Sequence, residues 1–147
     1  MYGIEELVRR MTVDGKERWD LSCIIETPDG LEKAVNGFMG MFDREIFDSF
    51  VLLGPVSSVI AAVTASKLGK GVILAERAEI HVKKGMKIII TADFLASGKE
   101  IKELIERLER LGATVIRLGF VAELPKYEAR KNKVLRGYPF ESLKTLN

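Results

Sequence analysis

Cysteine, histidine and tryptophan each occur once in these 147 residues, and glutamine is absent. A lone Cys23 cannot form an internal bridge, which excludes a disulfide scaffold and implies a reducing compartment. Within the apolar stretch 21–25 it reads as a small buried hydrophobe. No run is long enough to cross a bilayer, and residues 1–11 lack the basic-then-apolar form of a secretion signal, so the expected protein is soluble and cytoplasmic, with no membrane partner. Charge of one sign is also missing. Lys and Arg number 23 against 21 for Asp and Glu, a net +2 without the basic surplus of a nucleic-acid binder. The cluster Arg130, Lys131, Lys133 and Arg136 reads as a solvated surface segment. The lone His81 lies beside Glu79 in an alternating stretch and reads as surface or packed. Without a base partner, Ser57 and Ser58 read as helix caps rather than nucleophiles, and no metal-ligating set is assigned. Scarce amide side chains with 30% charged residues lean towards a heat-adapted source.

What is present is a domain-sized chain with α/β patterning. Apolar residues at helical spacing predict a short helix over residues 3–11. Residues 21–27 read as a strand, broken at Pro28-Asp29-Gly30, and a helical period resumes over 31–41. Residues 50–53 form a buried strand, Gly54-Pro55 a sharp turn, and 56–68 a helix of small residues. Strands follow at 72–75 and 78–82, the second set off by the turn Lys83-Lys84-Gly85. The continuous apolar Ile88, Ile89 and Ile90 suit a strand covered on both faces. Ile101, Leu104, Ile105, Leu108 and Leu111 share one helical face, Gly112 supplies the stop, and 114–121 is a further core strand. This order predicts an α/β doubly wound domain with a mainly parallel sheet. One domain spans 1–147, with a core at about 49–124 and a cap built from 1–48 and 125–147. Residues 138–143 are expected as a strand in that cap.

The loop joining the 88–90 strand to the 101–111 helix must lie at a carboxyl strand end, where open parallel sheets bind ligands. A helix amino end offers unpaired N–H groups and partial positive charge to an anion. Gly98 allows close approach, Lys99 adds a mobile cation, and Asp93 could accept hydrogen bonds from sugar hydroxyls. The same letters also spell a capping box. In Ser97-Gly98-Lys99-Glu100 the serine hydroxyl would take one orphan donor and Glu100 would reach back to another, leaving less for a phosphate. Both readings stay open.

The loop is not a Walker A motif, which needs Gly at 93 and Ser or Thr at 100. Residues 54–58 lack the glycine spacing of a dinucleotide fingerprint. The order of elements instead resembles the type I phosphoribosyltransferases, in particular their adenine phosphoribosyltransferase branch. Residues 88–114 match the family signature of an apolar strand, two acidic residues, a Thr-Gly-Gly-Thr-like loop and a helix ending in Leu-Gly-Ala. Residues 22–29 resemble its amino-terminal strand and Thr-Pro turn, and 130–143 its closing hood. The resemblance implies a phosphoribosyl pyrophosphate ligand with Mg²⁺, displacement of pyrophosphate by a purine-like base, a place in purine salvage and a homodimer. It implies that Asp93 holds the ribose, that Ser97, Gly98, Lys99 and Glu100 form the phosphate loop, and that Gly54, Pro55, Val56, Ser57 and Ser58 form the pyrophosphate loop.

The departures are specific. Ala92 replaces the first acidic residue, Lys99 and Glu100 replace the second Gly and closing Thr, and Val56-Ser57-Ser58-Val59 lacks the pyrophosphate-binding arginine. The mobile loop is cut to about residues 76–79. Arg77, Lys83 or Lys99 would have to substitute for the lost cations. The expected function is therefore binding of a phosphoribosyl or nucleotide ligand at residues 93–100, with transferase turnover if enough electrostatic contacts remain. A non-catalytic sensor, a partner subunit and a scaffold with the pocket lost are the competing expectations.

Overall fold

The computed structural model describes residues 3–4, 7–13 and 16–147. Two antiparallel strands, β1 (Arg9–Val13) and β2 (Lys16–Asp20), form a ribbon separate from the main sheet. A short helix α1 (Ser22–Ile25) and the long α2 (Pro28–Phe42) follow. Then come β3 (Ser49–Leu53), α3 (Pro55–Leu68), β4 (Gly71–Leu74), α4 (Ala78–His81), β5 (Lys87–Leu95), α5 (Lys99–Arg110), β6 (Thr114–Glu123), α6 (Ala129–Asn132) and β7 (Phe140–Thr145). The five strands of the main sheet run in the order β4-β3-β5-β6-β7, every pair parallel. The expected α/β architecture with a parallel sheet is what the chain forms.

Alternation along the central strands divides the core in two. Phe50, Leu52 and Ile89 face α2 and α3, where Phe38, Phe42, Ile60 and Ala61 pack. Val51, Ile88, Ile90 and Ala92 face α5, meeting Ile101, Leu104, Ile105 and Leu108. A strand buried on both faces favours apolar side chains, hence the unbroken Ile-Ile-Ile, followed by the fully buried Thr91. The ring of Phe42 lies where a Cβ on Gly119 would be, 2.4 Å from that position, so β6 needs glycine there for α2 to close on the sheet.

Four local expectations differ from the fold. Residues 9–11 belong to β1, not to a helix over 3–11; residues 5–6 of that span lie outside the described residues. Residues 22–25 are helical because Leu21 and Ile24, three apart, are both buried, and Asp20 accepts from the Ser22 N–H at 2.9 Å. Residues 75–81 form a 3₁₀ turn and α4 rather than a strand. Burial there recurs at Ala75, Ala78 and Val82, the helical rather than the alternating period. Arg107 of α5 fixes the segment, reaching both Glu79 oxygens at 2.8 and 3.1 Å and the Ala75 carbonyl at 2.9 Å. Finally, β7 is a strand of the main sheet, parallel to β6, and not part of a cap.

Candidate functional site at the carboxyl edge of the sheet

The register that pairs Leu53 with Ala92 sets Gly54, the residue that opens α3, beside Asp93 on β5. Gly54 has φ +94°, and a Cβ there would lie 2.7 Å from Asp93 Oδ1, so only glycine fits on both counts. Asp93 uses this closeness. Its Oδ1 accepts from the Ser57 N–H at 2.7 Å and its Oδ2 from the Val56 N–H at 3.3 Å. Pro55 has no N–H, and the Ser58 N–H bonds the Gly54 carbonyl at 3.2 Å. Every donor of the first turn of α3 is therefore used, two of them by a carboxylate some 36 residues away in sequence. Ser57 and Ser58 do not cap this helix, contrary to expectation. Their hydroxyls turn back to backbone carbonyls, Ser57 to Leu53 at 2.9 Å and Ser58 to Gly54 at 2.5 Å, and Ser57 is fully buried.

At α5 the first turn is arranged differently. Gly98 precedes it with φ +88° and lies under Leu135 and Val134, whose carbons would stand 3.3 and 3.7 Å from a Cβ. Ser97 Oγ accepts from the Lys99 N–H at a long 3.3 Å, and the Lys102 N–H bonds the Gly98 carbonyl. The N–H groups of Gly98, Glu100 and Ile101 find no acceptor among the described residues. Glu100 is exposed, the N-cap is Gly98 with no side-chain cap, and Ser97 Oγ meets the Lys99 N–H rather than that of Glu100, so the capping box does not form. Lys99 is likewise exposed.

The phosphate-loop candidates Ser97, Gly98, Lys99 and Glu100 and the pyrophosphate-loop candidates Gly54, Pro55, Val56, Ser57 and Ser58 thus share one sheet edge, tied together by Asp93. Arg77 follows β4 on that same edge. Lys83 does not join them: it sits in the turn before β5, at the opposite end of a nine-residue strand, with the Gly85 N–H bonded to Gly112 below α5. It is too distant to replace a lost site cation.

Residues that the sequence did not single out complete the edge. Between the β1–β2 ribbon and the ends of β5 and β6 lies a cavity of about 370 Å³. Phe94, Ala96 and Leu124 line it from the sheet side, Trp19 and Tyr127 add aromatic faces, and Arg10, Arg18 and Lys126 bring positive charge. Arg10 lies over the Trp19 ring at 4.7 Å and Lys126 over Tyr127 at 5.1 Å. Phe94 and Ala96 run directly into the 97–100 loop, so cavity and loop are continuous along the chain. The segment after β6 holds the loop from outside: Asn132 Nδ2 donates to the Ser97 carbonyl at 3.0 Å. Buried Glu123 takes both hydrogen bonds of Arg130 at 2.8 Å, which holds the guanidinium pKa above its ordinary value, chiefly through that hydrogen bond.

No protein-family model matches the chain. Among curated proteins it is similar to an adenine phosphoribosyltransferase of Thermotoga maritima, 29% identical, with 84% of each chain covered. Among solved structures it resembles the adenine phosphoribosyltransferase of Thermoanaerobacter pseudethanolicus, with a TM-score of 0.82 at 20% identity over 97% of this chain and 98% of that one. The chain is adenine phosphoribosyltransferase-like, with the type I phosphoribosyltransferase fold. The enzyme of Giardia lamblia, solved with 9-deazaadenine, matches with a TM-score of 0.81 at 15% identity over 97% and 95%. Against this phosphoribosyltransferase frame the departures have a geometry. Ala92, in the first acidic position, is buried among the apolar residues facing α5, and the remaining acid, Asp93, is bonded to α3.

Proposed function

We propose that this protein binds a nucleoside 5′-monophosphate at the carboxyl edge of its sheet and does not carry out pyrophosphate displacement. The reading rests on the contrast between the two helix amino ends. An anion at α5 would meet the N–H groups of Gly98, Glu100 and Ile101, aided by the helix dipole and the Lys99 ammonium. The planar base would then lie in the cavity, stacked against Phe94, Trp19 or Tyr127. The solved Giardia relative, which holds 9-deazaadenine, supports a base in this fold.

A second anion at α3 faces the opposite situation. Asp93 uses the Val56 and Ser57 donors and places a negative charge beside them. Two unit charges ~4 Å apart repel by about 4 kcal/mol at an effective dielectric constant near 20. The donor set also fails to fit the Mg²⁺ that the family implies: Ala92 offers no oxygen, the Asp93 oxygens are bonded to amides, and no group of three or more metal-ligating side chains gathers among the described residues. Losing a single electrostatic contact of this kind commonly costs ~3 kcal/mol of transition-state stabilisation, and several are missing together.

Calorimetry with adenosine 5′-monophosphate and other nucleoside 5′-monophosphates is expected to show saturable binding. An assay of phosphoribosyl pyrophosphate with a panel of bases and Mg²⁺ is expected to release no pyrophosphate. Steady pyrophosphate release with any base would overturn the non-catalytic assignment, and absence of binding by every monophosphate would leave the fold alone.

A further inference from the structure

The side chains around the 370 Å³ cavity are unusual in what they lack. Arg10, Arg18 and Lys126 donate hydrogen bonds and accept none, the Trp19 indole only donates, and Phe94, Ala96 and Leu124 do neither. Tyr127 supplies a hydroxyl that can do both. No carboxylate and no side-chain amide lines the space among the described residues. On the sheet side the Leu95 carbonyl already accepts from the Leu124 N–H at 2.8 Å. Arg18 and Lys126 form no ion pair among the described residues, and the charge of Lys126 rests on a tyrosine face, which attracts a cation without neutralising it.

A ligand buried here must match that inventory. An exocyclic amino group is a donor that meets only the Tyr127 hydroxyl as a side-chain acceptor among the described lining residues, and a donor left unmatched costs about 1–3 kcal/mol. A ring oxo group or ring carboxylate is an acceptor and would meet two cations. We infer that the cavity selects an acceptor-rich heterocycle, one bearing oxo or carboxylate groups, over an aminopurine or aminopyrimidine. Arg18 and Lys126 are the specificity-determining residues. The inference rests on the proposed monophosphate binding and names the class of base, and it departs from the adenine in the names of the relatives.

The test uses matched ligands on the full chain by calorimetry: inosine against adenosine 5′-monophosphate, uridine against cytidine 5′-monophosphate, and orotidine 5′-monophosphate, which adds a ring carboxylate to uridine 5′-monophosphate. The oxo member of each pair is expected to bind roughly tenfold tighter than the amino member, as for other sites that reject an unmatched polar group, and the carboxylate to tighten binding further. In Arg18→Ala and Lys126→Ala the oxo-over-amino ratio should fall at least threefold, while affinity for ribose 5-phosphate stays within about twofold. Both side chains are exposed, and the wild-type ratios alone already decide the matter. Equal affinity within the pairs, or an equal loss of ribose 5-phosphate binding in the variants, would overturn the inference while leaving monophosphate binding intact. No binding by any ligand would overturn both.

Discussion

Asp93 shows how one side chain can occupy the amino end of a helix that comes from another part of the chain. A carboxylate accepting two helix-end N–H groups gains from charge-assisted hydrogen bonds and from the helix dipole together. Replacing it by alanine leaves both donors without a partner, and the expected loss is about 2–3 kcal/mol in urea unfolding. Gly54→Ala should cost about 2 kcal/mol or more, from the positive φ and the 2.7 Å approach to Asp93. Half of that strain disappears when the carboxylate is gone, so the double variant should be more stable than the sum of the singles indicates. Strict additivity would mean that the two residues do not touch in solution.

Tyr138 offers a second residue-scale check. Its phenol donates to Glu109 of α5, and that hydrogen bond, with burial and the charges of Glu109 and Glu106 behind it, pushes its pKa up to about 12. A raised pKa means that the protonated form is favoured on folding, so the contribution is complete below the ordinary value near 10 and is lost as pH rises towards 12. Phenolate absorbance should show a late step near pH 12 that Tyr138→Phe removes. A midpoint near pH 10, the unperturbed tyrosine value, would dissolve the pairing.

At the scale of elements, the segment after β6 works as a clip over the α5 amino end. Glu128 and Lys133 both have positive φ, 62° and 58°, so the short helix α6 is bounded by two strained residues. What holds it is Asn132, which donates to the Ser97 carbonyl and accepts from the Val134 N–H at 2.9 Å, together with Leu135 over Gly98. Asn132→Ala should destabilise by about 1–2 kcal/mol and weaken monophosphate binding, because the Ser97 turn loses its outer support. Hydrogen exchange at Val134 would report the loosening directly. Lys133→Gly acts on the same element in the opposite sense, relieving left-handed strain and adding up to about 1 kcal/mol of stability.

For the whole molecule, a ligand that binds only the folded state raises its stability by about 2.7 kcal/mol at a hundred times its dissociation constant. In a chain of this size each kcal/mol moves the midpoint by roughly 2–4 °C, so a saturating monophosphate should raise Tm by about 5–10 °C. Inorganic pyrophosphate should do far less in the wild type and more in Asp93→Ala, where the α3 donors become available. A larger shift from pyrophosphate than from the monophosphate in the wild type would reverse the assignment of the two helix ends.

Much of the fold was legible because each element carries its own period. Ile101, Leu104, Ile105 and Leu108 mark α5 whatever surrounds it, and Ile88, Ile89 and Ile90 mark a strand covered on both faces. The strand expected over 78–82 is a helical turn instead, because the five residues Ala-Glu-Ile-His-Val satisfy two periods at once, and the deciding contact comes from Arg107 on a distant helix. The strand expected over 21–27 failed for a similar reason, its length being too short for β-branched residues to outweigh the burial of Leu21 and Ile24.

Sequence by itself determined the βαβ order, the loop at 97–100 and its likeness to a phosphoribosyltransferase signature, since these depend on neighbours along the chain. Tertiary structure decided which helix end keeps free donors, because the carboxylate that caps α3 comes from another strand through the Leu53–Ala92 register. It also gathered Trp19, Phe94 and Tyr127 around one cavity. Hydrogen-bond accounting of this kind is a property of distances in space, which residue spacing along a chain does not encode.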